Sequence, residues 1–126
     1  MFADFACFTA IPASDIGRAR SFYSEKLGLE PAREGDDGLI YEVGKGTGFL
    51  LYESQFAGTN QATAMGWQVP DFDAAVEALR GRGVTFEEYD FPGFKTENGI
   101  VSMPNGRRGA WFKDTEGNIL AVGEEE

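Results

Sequence analysis

A chain of 126 residues holds one domain with a real core and is too short for two of ordinary size. Apolar residues make up 42% and charged residues 25%, as in most globular proteins, but 21 acidic side chains against 11 basic ones leave a formal net charge of −10. That balance argues against nucleic-acid binding, which needs a basic face, and favours neutral or cationic partners.

The chain opens "MFADFACFTAIPASD", with no basic segment and an Asp at position 4, so no cleaved signal is expected. No run reaches the roughly 18 apolar residues of a membrane span, and a cytoplasmic protein is the expectation. "DFACFTAI" is apolar and β-prone, a predicted strand broken at Pro12, with Cys7 as a buried inert thiol. Ser14 or Asp15 then caps a helix whose apolar stripe is Ile16, Ala19, Phe22, Tyr23 and Leu27, stopped by Gly28. "LEPARE", "LIYEVG" and "GFLLYES" follow as extended segments with Gly or Asp at each junction. The glycines of 44–48 predict a hairpin turn, since they lack the spacing of a phosphate loop and open no helix.

"ESQFAGTNQAT" predicts a linker, after which the pattern restarts. "AMGWQV" is a strand, Pro70 breaks it, and Asp71 caps a helix with Phe72, Ala75, Val76 and Leu79 on its stripe, ending at Gly83. "TFEEYDF", "GAWFKD" and "ILAVGE" are extended, with an inserted loop, "PGFKTENGIVSMPNGRR", before the second of them. Asp15 and Asp71 hold equivalent places, 56 residues apart. The layout is a duplicated βαβββ unit, 5–53 and 62–126 joined by a 54–61 linker. The expected fold is α+β, two tandem units forming a curved mixed sheet with helices outside and a cup within.

"IPASDIGRARSFYSEKLGLEP", "VPDFDAAVEALRGRGV" and "AWFKDTEGNIL" together resemble signatures of the vicinal oxygen chelate superfamily, which includes glyoxalase I, extradiol dioxygenases, fosfomycin-resistance enzymes and bleomycin-resistance proteins. The resemblance covers nearly the whole chain. It implies four side chains converging in the cup, commonly His, Gln or Glu around a metal. By spacing from Asp15, Asp71 and Gly117 the first, third and fourth positions fall on Phe8, Ala64 and Ala121, and the second on Leu50 or a neighbour. All are apolar, and Glu53 is the nearest carboxylate. The chain has no histidine, so no metal and no cofactor is expected. The retained "DTEGN" turn is expected to serve the fold, with Gly117 and Asn118 suiting a positive φ.

Strand alternation places Phe8 with Ala10, Leu50 with Tyr52, Ala64 with Gly66 and Gln68, and Ala121 with Gly123 on the cup face. Met65, Trp67 and Val69 should face a helix. Tyr52 and Gln68 would bring polar tips into an apolar wall, though a structural hydrogen bond would explain either. Of the neighbours Trp111 and Phe112 one must face the cup, and Trp111 is the choice. Phe91 and Phe94, beside Pro92 and Gly93, suit a lid over the cup, or a loop packed on the domain. "FEEYD", the "GEEE" tail and the arginines of "GRAR" and "RGRG" are expected to be solvated charge.

The candidate ligand-binding set is therefore Phe8, Leu50, Tyr52, Gln68, Phe94, Trp111 and Ala121 around a hydrophobic or cationic small molecule. The alternatives are a metal-free lyase or isomerase using a buried Glu53 or Glu42, and an interaction module with a collapsed cup. The resemblance also implies a homodimer with two pockets.

Overall fold

The computed structural model describes residues 1–125; Glu126, the end of the acidic tail, lies outside them. After a short 3-10 turn, Phe2–Asp4, the first unit runs β1 (Thr9–Ala13), α1 (Ile16–Leu27), β2 (Arg33–Gly35), β3 (Gly38–Val43) and β4 (Thr47–Glu53). The second runs β5 (Thr63–Val69), α2 (Phe72–Gly81), β6 (Asp90–Phe91), β7 (Phe94–Lys95), β8 (Val101–Ser102), β9 (Arg108–Lys113) and β10 (Ile119–Glu124). The two main sheets have the same topology, β1-β4-β3-β2 and β5-β10-β9-β8, each with its first two strands parallel and the rest antiparallel. The fold is α+β, built of two tandem βαβββ units.

Both helices start where the sequence places them. Asp15 accepts the N–H of Arg18 and Asp71 that of Ala74, each at 3.0 Å, which satisfies donors the first turn leaves unpaired. Gly28 closes α1 in the left-handed conformation at φ 68°, with Leu29 N–H returning to the Tyr23 carbonyl. Ala19, Phe22 and Tyr23 of α1 and Phe72 and Val76 of α2 are buried, and they join Ile11, Tyr41, Phe49, Leu51, Phe112, Leu120 and Val122 in one core spanning both units. Alternation holds: Leu51 and Phe49 are buried on the helix side while Leu50 and Tyr52 face away.

Three sequence expectations change. Pro12 does not break the first strand but lies inside it, because β1 is a sheet edge where a missing N–H is tolerated. Residues 1–8 are exposed instead, so Cys7 is a surface thiol. In the second unit "TFEEYDF" is not a full strand: Phe86 makes a single bridge to Phe112, and the chain then turns into the β6–β7 hairpin at Pro92 and Gly93. Its place at the outer sheet position goes to β8, from the inserted loop.

The units are fastened by the 114–118 turn between β9 and β10. Asp114 accepts the Tyr23 hydroxyl (2.8 Å), the Asn118 side-chain amide (2.9 Å) and the backbone N–H groups of Glu116 and Asn118. The Asn118 amide also donates to the Pro12 carbonyl at 2.8 Å. So Asn118 contributes its side chain rather than a positive φ, while Gly117 does adopt φ 86°. A Cβ on Gly117 would stand 2.9 Å from the Gly58 Cα, so the linker presses directly on the turn. Glu116 accepts Ser14, the Asp15 N–H and Arg18, the last through both Nε (2.8 Å) and Nη2 (3.0 Å). Arg18 of "GRAR" is thus an anchor, and Glu124 of the tail likewise pairs with Arg108.

The Glu116 carboxylate has no solvent exposure. Hydrogen bonds from Arg18 above all, then from the Asp15 N–H, Thr115 and Ser14, hold the carboxyl down from an ordinary 4.5 to about 2, against the opposing effect of burial. A depressed carboxyl stabilises the fold above its unfolded pKa and loses that contribution as pH falls toward the folded one. Stability is therefore expected to drop between about pH 4.5 and 2, by on the order of 2–3 kcal/mol from this group. Urea unfolding of Glu116→Gln should show a loss of similar size at pH 7 and a flatter acid limb; an unchanged acid limb would remove Glu116 as its source.

Candidate functional site: two open sheet faces

The faces turned away from the helices are where the sequence places a ligand. On the first unit, Phe8, Ile40, Glu42 and Leu50 line a cavity of about 370 Å³. Ala10 pairs with Leu50 and Leu50 with Ile40, which sets these side chains in a row across three strands. Phe8 is 70% exposed, so one wall of this cavity is a ring standing in solvent.

On the second unit, Tyr89, Phe91, Phe94 and Trp111 line a separate cavity of about 430 Å³. Small residues neighbour the indole on the sheet: Trp111 pairs with Ala121, Ala121 with Gly66, and Gly109 lies two residues before Trp111 on the same face. A Cβ at Gly109 would meet the indole at 3.3 Å, and one at Gly66 would meet the Ala121 carbonyl oxygen at 3.2 Å. The indole therefore occupies the space that a side chain at Gly109 would need. Its N–H donates to the Thr63 hydroxyl at 3.0 Å, which fixes the ring plane.

The β6–β7 hairpin lays Phe94 over the indole at 5.3 Å between ring centres, edge to face. Tyr89 lies 6.1 Å from Trp111, 6.0 Å from Phe94 and 5.9 Å from Phe91. These spacings are those of rings in mutual contact. Another ring enters this stack only if the hairpin lifts. Tyr89 was not among the sequence candidates, although its alternation with Phe91 across "EEYDF" places both on one face. Burial raises its phenol above the ordinary range, so it remains a neutral donor. Of the acidic residues there, Glu87 pairs with Lys113 at 3.2 Å and Glu88 accepts Thr96, so neither is merely solvated.

The remaining candidates are dispersed. Tyr52 is half-buried and Gln68 exposed, both on strand faces away from the helices. Ala64 is the extra residue of a β-bulge, since Ile119 pairs with Thr63 and Leu120 with Met65, and it packs against the core rather than keeping strict alternation. Met65, Trp67 and Val69 pack against the core. The curved sheets are open, and their faces carry two separate cavities that share no lining residue, one from each unit. The carboxylates Glu42 and Glu53 are both exposed, not buried as a metal-free acid–base mechanism would require.

Phe8, Leu50, Ala64 and Ala121 offer no oxygen, nitrogen or sulfur donor from their side chains. Among the described residues no three His, Cys, Asp or Glu side chains are grouped as metal ligands. The donor set does not fit a catalytic metal at these positions.

The hairpin gives a direct test of the aromatic stack. Gly93 holds φ 77° and a Cβ there would meet nothing within 4 Å, so Gly93→Val strains only the turn. In a Trp67→Phe background the variant should red-shift Trp111 emission and speed proteolysis after Lys95. An unchanged spectrum would mean that the turn does not hold the stack.

The family model described as Glyoxalase/Bleomycin resistance protein/Dioxygenase superfamily matches residues 7–122. No curated protein matches the chain in sequence. Solved structures do. A glyoxalase/bleomycin resistance protein from Catenulispora acidiphila DSM 44928 is 25% identical, with a TM-score of 0.70 over 98% of this chain and 100% of that one. A lactoylglutathione lyase from Agrobacterium tumefaciens is 20% identical, with a TM-score of 0.71 over 96% and 93%. A bleomycin-binding protein complexed with bleomycin is 15% identical, with a TM-score of 0.72 over 95% and 98%. With the duplicated units, the shared topology and a family match over nearly its whole length, the chain belongs to the glyoxalase/bleomycin resistance protein/dioxygenase superfamily.

Proposed function

We propose that this protein is a metal-independent small-molecule binder, a cytoplasmic homodimer that holds a hydrophobic or cationic ligand against aromatic side chains. The observation that carries this reading is the Trp111 indole, lying beside Gly109 in a cavity it shares with Tyr89, Phe91 and Phe94. A flat aromatic group can stack there when the hairpin lifts, gaining roughly 25 cal/mol per Å² of apolar surface covered. A cation is favoured by the ring faces and by the net charge of −10. The structural likeness to a bleomycin-binding protein supports the same direction.

Dimerisation is supported by the open faces and the amino-terminal segment. Phe2, Phe5 and Phe8 are all more than half exposed, on a segment that leaves the first sheet. Apolar surface of this kind marks a contact site. A second copy would cover these rings and enclose the shallow cavities. Light scattering at tens of micromolar should give twice the chain mass; a monomeric mass refutes the dimer.

Calorimetry against planar aromatic and cationic natural products should find saturable binding that Trp111→Ala weakens about tenfold or more, consistent with the loss of one stacking platform. No binding across the panel would sink the proposal. Excess Ni²⁺, Zn²⁺, Mn²⁺ or Fe²⁺ should leave the melting temperature unchanged, whereas a true site at a hundredfold excess over Kd would add about 2.7 kcal/mol. Stabilisation by a metal, abolished by Glu53→Gln, would instead favour an enzyme.

A further inference from the structure

The duplicated units meet on their helix side through a reciprocal pair of hydrogen bonds. Lys26 Nζ donates to the Arg82 carbonyl at 2.6 Å and Arg82 Nη1 donates to the Lys26 carbonyl at 3.2 Å. These residues are 56 apart, the repeat offset, so a pseudo-twofold axis passes between the two helix ends. Beside this crossing lies a third cavity, of about 500 Å³, with Leu27, Leu79, Trp67 and Val69 in its walls and Lys26 and Arg82 at its edge. That volume lies within the roughly 300–1,000 Å³ of small-molecule sites.

The hollow has a cause in the sequence. On β1, Ile11 and Ala13 are sealed, at 1% and 0% exposure. Their repeat equivalents on β5, Trp67 and Val69, are only partly buried. The difference lies in the covering hairpins. The 114–118 turn carries three buried polar side chains that pin it beside β1, whereas the corresponding β3–β4 turn is Gly44, Lys45 and Gly46, closed only on itself by Thr47 donating to the Val43 carbonyl. Without buried anchors it leaves the β5 side unsealed.

The charge at this opening runs against that of the chain. Lys26 and Arg82 bond only to carbonyls, and among the described residues neither has a carboxylate partner. The one acidic residue there, Glu42, is matched by Arg33 at 3.4 Å. Apolar walls with two uncompensated cations at the rim suit an amphiphile with an acidic head.

We infer that this junction cavity binds a single-chain carboxylate, its alkyl chain against Trp67 and Leu79 and its head beside Lys26 and Arg82. The site is independent of the aromatic stack on the opposite face. The two tryptophans separate them, because Trp67 reports the junction and Trp111 the stack.

In a Trp111→Phe protein, dodecanoate added below its micelle concentration should change Trp67 emission saturably. Dodecyltrimethylammonium should need at least about tenfold more for the same change. Lys26→Gln with Arg82→Gln should weaken dodecanoate about fivefold or more and leave dodecanol unaffected, since such exposed charge contacts are modest. Ala75→Phe, which fills the cavity, should abolish the response. If either variant fails to fold, the comparison of head groups on the parent protein still decides. An absent response, an equal response to both head groups, or a response confined to Trp111 in a Trp67→Phe protein would overturn the inference without touching the proposal for the stack.

Discussion

Asp114, Glu116 and Asn118 are buried polar side chains in five consecutive residues, and the joining of the two units depends on them. A buried carboxylate is tolerated only when its oxygens are filled by donors. Some donors are local to the turn, and the rest come from the other half of the chain: Tyr23, Ser14, the Asp15 N–H and Arg18. The same carboxylate, Glu116, binds the N–H of the Asp15 cap, so the start of α1 and the docking of the second sheet are one arrangement. The Tyr23 phenol is held neutral by burial and by Asp114, which keeps it a donor at any ordinary pH. The turn serves here as a clasp between units.

That clasp also makes the duplicated halves unequal. Both have the same strand order and the same capping aspartate, and their helix ends meet through symmetric hydrogen bonds. Only one of the two corresponding hairpins carries buried carboxylates. Symmetric backbones with asymmetric turns yield a sealed junction on one side and a hollow on the other. Sequence differences confined to a few turn residues therefore decide where the molecule is solid.

The open faces differ in a comparable way. The first is walled by an exposed phenylalanine, two aliphatic side chains and charged residues, the second by a cluster of four aromatic rings. Gly109 leaves room for the indole beside it, and the indole gives the hairpin rings a surface to contact. The inserted loop supplies Phe94, while Tyr89 and Phe91 come from the segment just before it, so the aromatic character of this face is shared between the repeat and its insertion.

Periodicity and capping residues by themselves determined the duplicated βαβββ layout, because hydrophobic spacing and Asp–helix–Gly punctuation are local signals. They also determined the apolar character of Phe8, Leu50, Ala64 and Ala121, since residue type needs no coordinates. What only the tertiary structure decided is how surfaces meet. That Pro12 sits in a strand follows from its edge position, and that Arg18 is an anchor follows from a carboxylate 98 residues away. That Cys7 and Phe8 stand in solvent follows from the sheet beginning at Thr9. Ala64 leaves its expected face because pairing with β10 shifts register there. Tyr89 reaches Trp111 because the Glu87 N–H pairs with the Trp111 carbonyl and holds this segment beside β9. Each of these depends on donors, edges or registers supplied by residues distant in the chain, and a pattern read along one strand carries no information about what lies across from it.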